Sequence, residues 1–464
     1  MKLFSFSNRK NIRVNESPMV NRRSFLTRFT AFGVSSALLV DDSSVFGVDE
    51  LPPGVVPSNP RELLYPTPES RSKVFAPESG AYAASFPILQ NIDESSASVV
   101  WALNVPSTGW VEWGLTPALG KVARDSEFGL NPYESDFISA RITGLEPNTT
   151  YYYRTATCAF SYKSAYDKTC SAPQYSDVYS FKTAGPNVDA VSFAVINDTH
   201  NVIETVSKLF SRVETIDPDI LVWNGDLCHR YPSPLIVKTG IANPCDVPYA
   251  VKRPLILARG NHDRWGPFAH KFDQIFKPWI QQTPEFRSLG YNVALRYGPL
   301  AFVTLDTAEI KEDSNIKFQG ISSAEPYRKL QAAWLDNVLQ RPEIASAPYL
   351  IAFCHIPLFN HTATEGEGVI PEVKWAAYHA LSAKYWGPIL DKYGVQLIIS
   401  AHRHKFAYSP ADKNRPWAQL LGGGPLTSNA TCIFADANKE RLAVTCEKLE
   451  DGSQLGRWEF EPRG

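Results

Sequence analysis

The sequence has few of the features that indicate membrane insertion or bulk binding of a polyanion. Its formal net charge is only −2, so overall charge does not predict attraction to nucleic acid or to an anionic membrane. The apolar stretch from Phe29 to Val40 is too short to span a bilayer. Neither a nucleic-acid partner nor a stable membrane span is therefore expected, and the oligomeric state stays open.

Cysteine is also scarce, and its spacing excludes a common class of metal site. No C-x-x-C pair occurs among the seven cysteines, which argues against a zinc module. In an oxidising compartment three pairs could close modest loops, whereas the alternative is seven reduced, buried thiols. The pairs are Cys158 with Cys170, Cys228 with Cys245, and Cys432 with Cys446, which would leave Cys354 free.

The N-terminus predicts export rather than a folded element. In "NRRSFLTRF" the paired Arg22 and Arg23 precede a mildly apolar stretch. This order resembles a twin-arginine signal, and a basic amphipathic arm is the alternative. We assign residues 1–47 to the signal, which predicts a periplasmic or secreted protein. Residues 48–80, rich in proline and serine, form a predicted linker.

Residues 81–186 have the pattern of an all-β domain. Short runs such as "SASVVWALN", "GWVEWG" and "TTYYYRTA" are rich in aromatic and β-branched residues and are separated by turn residues. Leu145, Pro147, Thr149 and Tyr151 match the L-x-P-x-T-x-Y corner of fibronectin type III domains. We therefore expect a fibronectin III-like sandwich here.

Residues 187–464 change to an α/β, or α+β, pattern. Nearly continuous apolar runs such as "DILVWNGD" and "VQLIISAHRH" are typical of strands buried on both faces. Amphipathic stretches between them, the clearest being "YRKLQAAWLDNVLQR", predict helices.

Five of the apolar runs end in side chains that bind metals. The carboxyl ends of strands are where open α/β sheets build their sites, so we expect these side chains to meet. They are Asp198 and His200, then Asp226, then Asn261, His262 and Asp263, then His355, and finally His402 and His404.

The order D-x-H, G-D, G-N-H-D, H, H-x-H resembles the calcineurin-like metallophosphoesterase superfamily. The resemblance implies a β-sandwich flanked by helices that holds two divalent or trivalent metals, for which Fe, Mn, Zn and Co are suited. A metal-bridging hydroxide would attack phosphorus. By the same resemblance Asp198, His200 and His404 hold one metal, Asn261, His355 and His402 hold the other, and Asp226 bridges both.

The resemblance also implies roles beside the metals. His262 would contact the phosphoryl group or protonate the leaving oxygen, and Asp263 would orient its imidazole. His229, Arg264 and Asn201 are candidate substrate-binding residues, although solvated loop positions are an equally good interpretation for each.

The layout of a fibronectin-like domain before this catalytic domain resembles purple acid phosphatases, but the metal site departs from them. Those enzymes carry an iron-binding tyrosine three residues after the bridging aspartate, where this sequence has His229. We therefore expect no tyrosinate–iron colour.

Together these features predict an exported binuclear phosphoesterase that acts on a small phosphate ester, with monoesters favoured. A phosphodiesterase or nucleotide hydrolase of the same superfamily is the alternative within enzymes. A binding protein without catalysis is the alternative outside them, and the complete ligand set argues against it.

Overall fold

The structure is a computed structural model. It describes residues 80–359, 372–413 and 415–464, with the backbone alone for 372–380. The predicted signal, residues 1–47, and the predicted linker, residues 48–80, lie outside the described residues except for Gly80. Among the described residues, no helix combines the length and the apolar character that a membrane crossing requires.

Residues 80–186 consist of strands and turns, so the all-β prediction for this region is confirmed. The strands are β1 Ile88–Gln90, β2 Ser96–Ala102, β3 Ser107–Gly114, β4 Lys121–Ala123, β5 Phe137–Thr143, β6 Thr150–Tyr162, β7 Lys168–Cys170, β8 Gln174–Tyr175 and β9 Tyr179–Lys182. Four of them form one sheet in the order β4-β3-β6-β7, and β8 and β9 also pair with β6.

An aromatic core lies inside this all-β region. Trp101 of β2 and Tyr153 of β6 are buried in one cluster, and the Trp101 indole donates a hydrogen bond to Thr157. The predicted corner forms, since the backbone N–H of Glu146 donates to the Tyr151 hydroxyl at 2.9 Å. The closer likeness to fibronectin type III domains stays a prediction.

The remaining chain alternates strands and helices. Its strands are β10 Ala190–Ile196, β11 Ile220–Trp223, β12 Leu255–Leu257, β13 Ala294–Tyr297, β14 Leu300–Leu305, β15 Tyr349–Cys354, β16 Leu397–Ser400, β17 Ala407–Ser409, β18 Ala418–Leu421, β19 Thr431–Asn438, β20 Leu442–Lys448 and β21 Gln454–Phe460. The described α-helices are α1 Ile203–Ile216, α2 Pro234–Val237, α3 Ala324–Leu339, α4 Pro342–Ala345 and α5 Glu372–Lys392. Short 3-10 or π turns span Lys238–Ala242, Pro244–Asp246, His262–Arg264, Pro267–Gln274, Pro284–Phe286 and Ile316–Phe318.

Two sheets pack face to face with helices outside them, as predicted. One sheet has six strands in the order β13-β14-β15-β16-β18-β17. The other contains β10, whose alternate residues serve two cores because side chains alternate across a strand. Phe193 and Val195 pack between the sheets, whereas Ala194 and Ile196 pack against α1. On the far side, Trp334 of α3 and Trp386 of α5 cover the six-stranded sheet.

The sheet that contains β10 has nine strands and includes strands from both the all-β region and the remaining chain. Its order is β21-β20-β19-β10-β11-β12-β1-β2-β5, so three strands of the all-β region extend the sheet that carries β10 to β12. Strand β1 pairs in parallel with β12 through Gln90 and Leu255. The Gln90 side chain also donates to the Ile275 carbonyl at 2.7 Å. The predicted boundary between residues 81–186 and 187–464 stays a prediction.

Candidate metal centre

The candidate centre lies where parallel strands of both sheets end. Asp198 follows β10, Asp226 follows β11, Asn261 follows β12, His355 follows β15, and the pair His402 and His404 follows β16. Strands β10, β11 and β12 are parallel neighbours, as are β15 and β16. The carboxyl ends of the two sheets therefore deliver polar side chains to one place.

A first group brings together three of the predicted ligands. Atoms of Asp198, His200 and His404 that can bind a metal lie within 4.8 Å of one another. The two Nε2 atoms of His200 and His404 are 3.1 Å apart, and Asp198 Oδ1 is 3.4 Å from His404 Nε2. This is the set that the resemblance assigned to one metal.

A second group lies beside the first. Asp226, His355 and His402 also place one ligand atom each within 4.8 Å of the others. His355 Nε2 is 3.1 Å from Asp226 Oδ2 and 3.6 Å from Asp198 Oδ1. The Asp226 carboxylate also lies 3.8 Å from His200 Nε2. Asp226 therefore faces both groups, which is the position that a bridging ligand requires.

Four buried ligand atoms of the centre make no well-formed hydrogen bond with any described residue. They are Asp198 Oδ1, Asp226 Oδ2, Asn261 Oδ1 and His355 Nε2; the two carboxylate oxygens instead face histidine nitrogens. A buried carboxylate oxygen left without a partner is strongly unfavourable. Metal ions at this position would satisfy all four atoms, and the mixture of carboxylate, imidazole and amide suits first-row transition metals. The residues present thus fit a two-metal centre.

Hydrogen bonds hold these ligands in place from behind. The His355 ring uses Nδ1 to donate to the Asn224 carbonyl at 2.8 Å, which leaves Nε2 as the atom that faces Asp226. Asp198 Oδ2 accepts from the His402 backbone N–H at 2.8 Å and from the Asn197 amide at 2.9 Å. Such partners fix the orientation of metal-binding side chains.

The backbone of the centre adopts an uncommon conformation. Six of the side chains named in the sequence analysis belong to residues with positive φ, a region that few residues other than glycine occupy. Several such residues at one site are typical of strain retained for function. They are Asp198 at 46°, His200 at 46°, Asn201 at 60°, Asp226 at 52°, His402 at 69° and His404 at 56°.

Two glycines allow the close approach of these ligands. Gly225 has a φ of 80°, and a Cβ there would lie 2.4 Å from His355 Nδ1. A Cβ on Gly260 would lie 2.3 Å from Asp226 Oδ1. The motifs G-D and G-N-H-D therefore need glycine for space, and Gly225 needs it for backbone conformation as well.

The surroundings set the protonation of the imidazoles and carboxylates. Burial lowers the pKa of His200 to about 4, although the negative charges of Asp226 and Asp198 act to raise it. Burial also acts to lower the pKa of His355, but the same two carboxylates raise it to about 10. The pKa of Asp226 falls below its ordinary value because His355 outweighs the effect of burial.

Comparison with known proteins identifies both regions. Residues 191–406 match the family described as Calcineurin-like phosphoesterase, and residues 87–183 match Purple acid Phosphatase, N-terminal domain. The chain carries a calcineurin-like phosphoesterase domain preceded by a purple acid phosphatase N-terminal domain. The resemblance expected from the motifs is confirmed.

Two curated relatives come from Arabidopsis thaliana. Probable purple acid phosphatase 20 is 26% identical over 66% of this chain and 65% of its own length. Purple acid phosphatase 23 is 26% identical over 60% of this chain and 59% of its own length. The match therefore spans less than two thirds of either relative.

Two solved structures share the fold. A purple acid phosphatase from yellow lupin seeds (Lupinus luteus) aligns with a TM-score of 0.55 and 15% identity, over 81% of this chain and 74% of its own. The structure of PhoD aligns with a TM-score of 0.59 and 13% identity, over 83% of this chain and 92% of its own.

One predicted role in the phosphoesterase domain needs correction. Asp263 was expected to orient the His262 imidazole, but the His262 ring bonds through Nδ1 to the His229 carbonyl at 2.9 Å. The Asp263 carboxylate instead accepts from the backbone N–H groups of Asp226, Leu227 and Gly260. The chain turns back at G-N-H-D, so the carboxylate meets the loop that carries Asp226.

The candidate substrate-binding residues occupy different environments. His229 lies with His200 and His262 in a third group whose ring nitrogens are within 4.8 Å of one another, at the position where a tyrosine was expected in purple acid phosphatases. The Arg264 guanidinium pairs with Asp306 at 2.9 Å. Asn201 turns its buried side-chain oxygen toward Gly240.

Sequence analysis missed several residues that support the centre. Asp306 follows β14 directly and accepts from Arg259 at 2.7 Å. Its pKa stays below the ordinary value because Arg259 and Arg264 outweigh the effect of burial. The strand-end rule that found the ligands would have found Asp306 too. Tyr231 donates to Asp263, and no local pattern in the sequence predicts that contact.

Proposed function

We propose that this chain is an exported, binuclear metal-dependent phosphoesterase that hydrolyses phosphate monoesters. The observation that carries the proposal is the pair of adjacent ligand groups, with the Asp226 carboxylate facing both. Homology to purple acid phosphatases supports a phosphoric ester hydrolase. Export rests on the N-terminal sequence and on the resemblance to a twin-arginine signal.

The ligand sets follow the two groups. Asp198, His200 and His404 would hold one metal, the second would bind Asn261, His355 and His402, and Asp226 would face both. Bound metals supply positive charge against the phosphoryl oxygens and lower the pKa of water.

His262 is the residue placed to act on the ester itself. Because Nδ1 bonds to the His229 carbonyl, Nε2 is the free ring nitrogen, and it lies 3.9 Å from Asp226 Oδ2. A proton held on Nε2 would stabilise the phosphoryl group or pass to the leaving oxygen. Asp263 acts indirectly, since its hydrogen bonds to the Asp226 loop hold the bridging carboxylate in position.

The test measures metal content and hydrolysis on one sample of purified full-length protein. A chromogenic phosphomonoester and a chromogenic phosphodiester are assayed before and after chelation. We expect about two metals per chain and chelator-sensitive cleavage, faster for the monoester. Faster cleavage of the diester would favour the phosphodiesterase alternative. A chain that binds no metal even after reconstitution would leave only the binding-protein alternative.

A further inference from the structure

A cavity of about 520 Å³ lies beside the candidate centre. Its volume falls within the range of about 300–1,000 Å³ that is typical of ligand pockets. The residues that line it include Arg264, Trp265, Ser288, Phe318, Tyr327 and Leu330. We call it the Trp265 cavity. None of these residues belongs to the predicted metal ligands.

A short turn links His262, the residue placed to act on the ester, to Trp265 of the cavity. Residues His262–Arg264 form one 3-10 turn, and Trp265 is the next residue. The rings of His262 and Trp265 are in contact, with centroids 3.8 Å apart. Trp265 therefore both contacts His262 and lines the cavity.

The walls of the cavity are fixed before any ligand arrives. The Trp265 indole donates to Glu309 at 2.7 Å, and Arg264 pairs with the buried Asp306 at 2.9 Å. The Arg264 guanidinium also lies over the Tyr327 ring, 5.2 Å from its centroid. A wall held in this way loses little conformational entropy when a ligand binds.

The lining chemistry matches a flat, neutral ring. Trp265, Phe318 and Tyr327 line the cavity with aromatic side chains, and Leu330 adds an aliphatic one. Cations already lie over part of these rings, Lys311 over Trp265 and Phe318 and Arg264 over Tyr327. Aromatic rings gain from stacking or edge contacts with such walls beyond the burial of apolar area. Arg259 and Arg264 both pair with Asp306, and Lys311 pairs with Glu309. Each of these cations therefore already has a carboxylate partner, and the ring needs no charge of its own.

We infer that the leaving group of the ester contains a planar aromatic ring and that the Trp265 cavity holds this ring during hydrolysis. This inference rests on the proposed function and narrows its substrate class. Two kinds of ester share the required chemistry, namely phosphates of aryl-substituted alcohols and nucleoside monophosphates.

The test compares benzyl phosphate with propyl phosphate in the full-length protein as purified. Both release a primary alcohol, so the rate ratio reports binding of the ring rather than leaving-group acidity. We expect kcat/KM to be on the order of tenfold or more higher for benzyl phosphate. Adenosine 5′-monophosphate is assayed alongside to separate nucleotides from simple aryl esters. Of these two kinds of ester, the one with the higher kcat/KM is the substrate class that the cavity accepts.

Two matched variants test the location. Ser288 lines the cavity and is exposed, as is Arg287 beside it, which does not line the cavity. Ser288→Trp should fill the cavity and bring the benzyl-to-propyl ratio close to one, whereas Arg287→Trp should leave the ratio unchanged. Calorimetry with benzylphosphonate and propylphosphonate gives a second readout that needs no turnover.

The outcomes separate this inference from the proposed function. Hydrolysis of both esters with equal kcat/KM, or a benzyl preference that survives Ser288→Trp, would overturn the inference and leave a phosphoesterase. If neither ester is hydrolysed, the proposed function fails. Tighter binding of benzylphosphonate that Ser288→Trp abolishes would then still support a ring-binding cavity, and equal binding of both phosphonates would overturn it.

Discussion

At the scale of single residues, the Tyr231 hydroxyl is a support for the bridging carboxylate. It donates to Asp263 Oδ1 at 2.5 Å and accepts from the Cys228 backbone N–H at 3.3 Å. All of these groups are buried. Tyr231 and Asp263 thus secure the loop from Asp226 to Cys228 in two places.

The first prediction concerns the loss of this hydroxyl. Tyr231→Phe leaves a buried carboxylate and a buried backbone N–H each short of one partner, so we expect a loss of about 1–3 kcal/mol in the free energy of unfolding. Denaturant unfolding of the purified variant measures it. Tyr349→Phe is the matched control, because the buried Tyr349 hydroxyl has no hydrogen-bond partner in the part of the chain that the structure describes, and its removal should be nearly neutral. Equal effects of both variants would contradict the supporting role.

The second prediction separates chemistry from metal binding. His262→Ala should lower kcat by about 10²–10⁴-fold, the usual contribution of a positioned proton donor, and should leave metal content unchanged. His355→Ala should instead lower metal content, since it removes a ligand atom from the second group. Elemental analysis beside steady-state kinetics distinguishes the two. Loss of metal in His262→Ala would move that residue into the ligand set.

At the scale of elements, the turns after the strands shape the centre as much as the side chains do. The left-handed residues lie just past strand ends, where the chain must reverse within a few residues. Asp, Asn and His tolerate this conformation better than most residues. The same residue types therefore serve both the backbone and the ligand set.

The third prediction tests the turn after β11. Gly225→Ala places a methyl group 2.4 Å from the His355 ring and also strains a positive φ. Gly452→Ala strains a φ of 72° with nothing within 4 Å, and it should lose about 1–2 kcal/mol in the free energy of unfolding. Gly225→Ala should lose more than this, together with bound metal. Similar losses of stability and intact metal content in both variants would show that the His355 ring can move to accommodate the added methyl group.

The sequence predicted these elements where local patterns determine them. Strands buried on both faces read as apolar runs, and polar residues after such runs met at the expected edge. The pairing of β1 with β12 was not predicted, because backbone hydrogen bonds between distant strands do not depend on the side chains of either strand. The partner of Asp263 and the Trp265 cavity were missed for a related reason: each depends on how separate segments fold together.

At the scale of the whole molecule, the all-β region is part of the sheet that builds the centre. Strands β1, β2 and β5 extend this sheet beyond β12. The Tyr153 hydroxyl also donates to the Val251 carbonyl at 2.8 Å, and both groups are buried. The all-β region thus closes one edge of the nine-stranded sheet.

The fourth prediction follows from that closed edge. Removing residues 1–186 would leave β12 with an unpaired edge and would expose apolar surface, and such edges favour aggregation. We expect the truncated chain to aggregate, whereas the full-length chain unfolds without first releasing its all-β region. Size-exclusion chromatography and thermal unfolding monitored by two probes measure this. A soluble, monomeric truncation with normal metal content would contradict it.

The shared sheet also determines when its strands can pair during synthesis. Among the described residues, the first strand to be translated is β1, whose parallel partner β12 lies far downstream. The Gln90 side chain likewise bonds to a carbonyl 185 residues later in the chain. Contacts of such long range slow folding. The nascent all-β region therefore emerges with an open edge, and a helper that shields that edge would matter most before Leu255 has been translated.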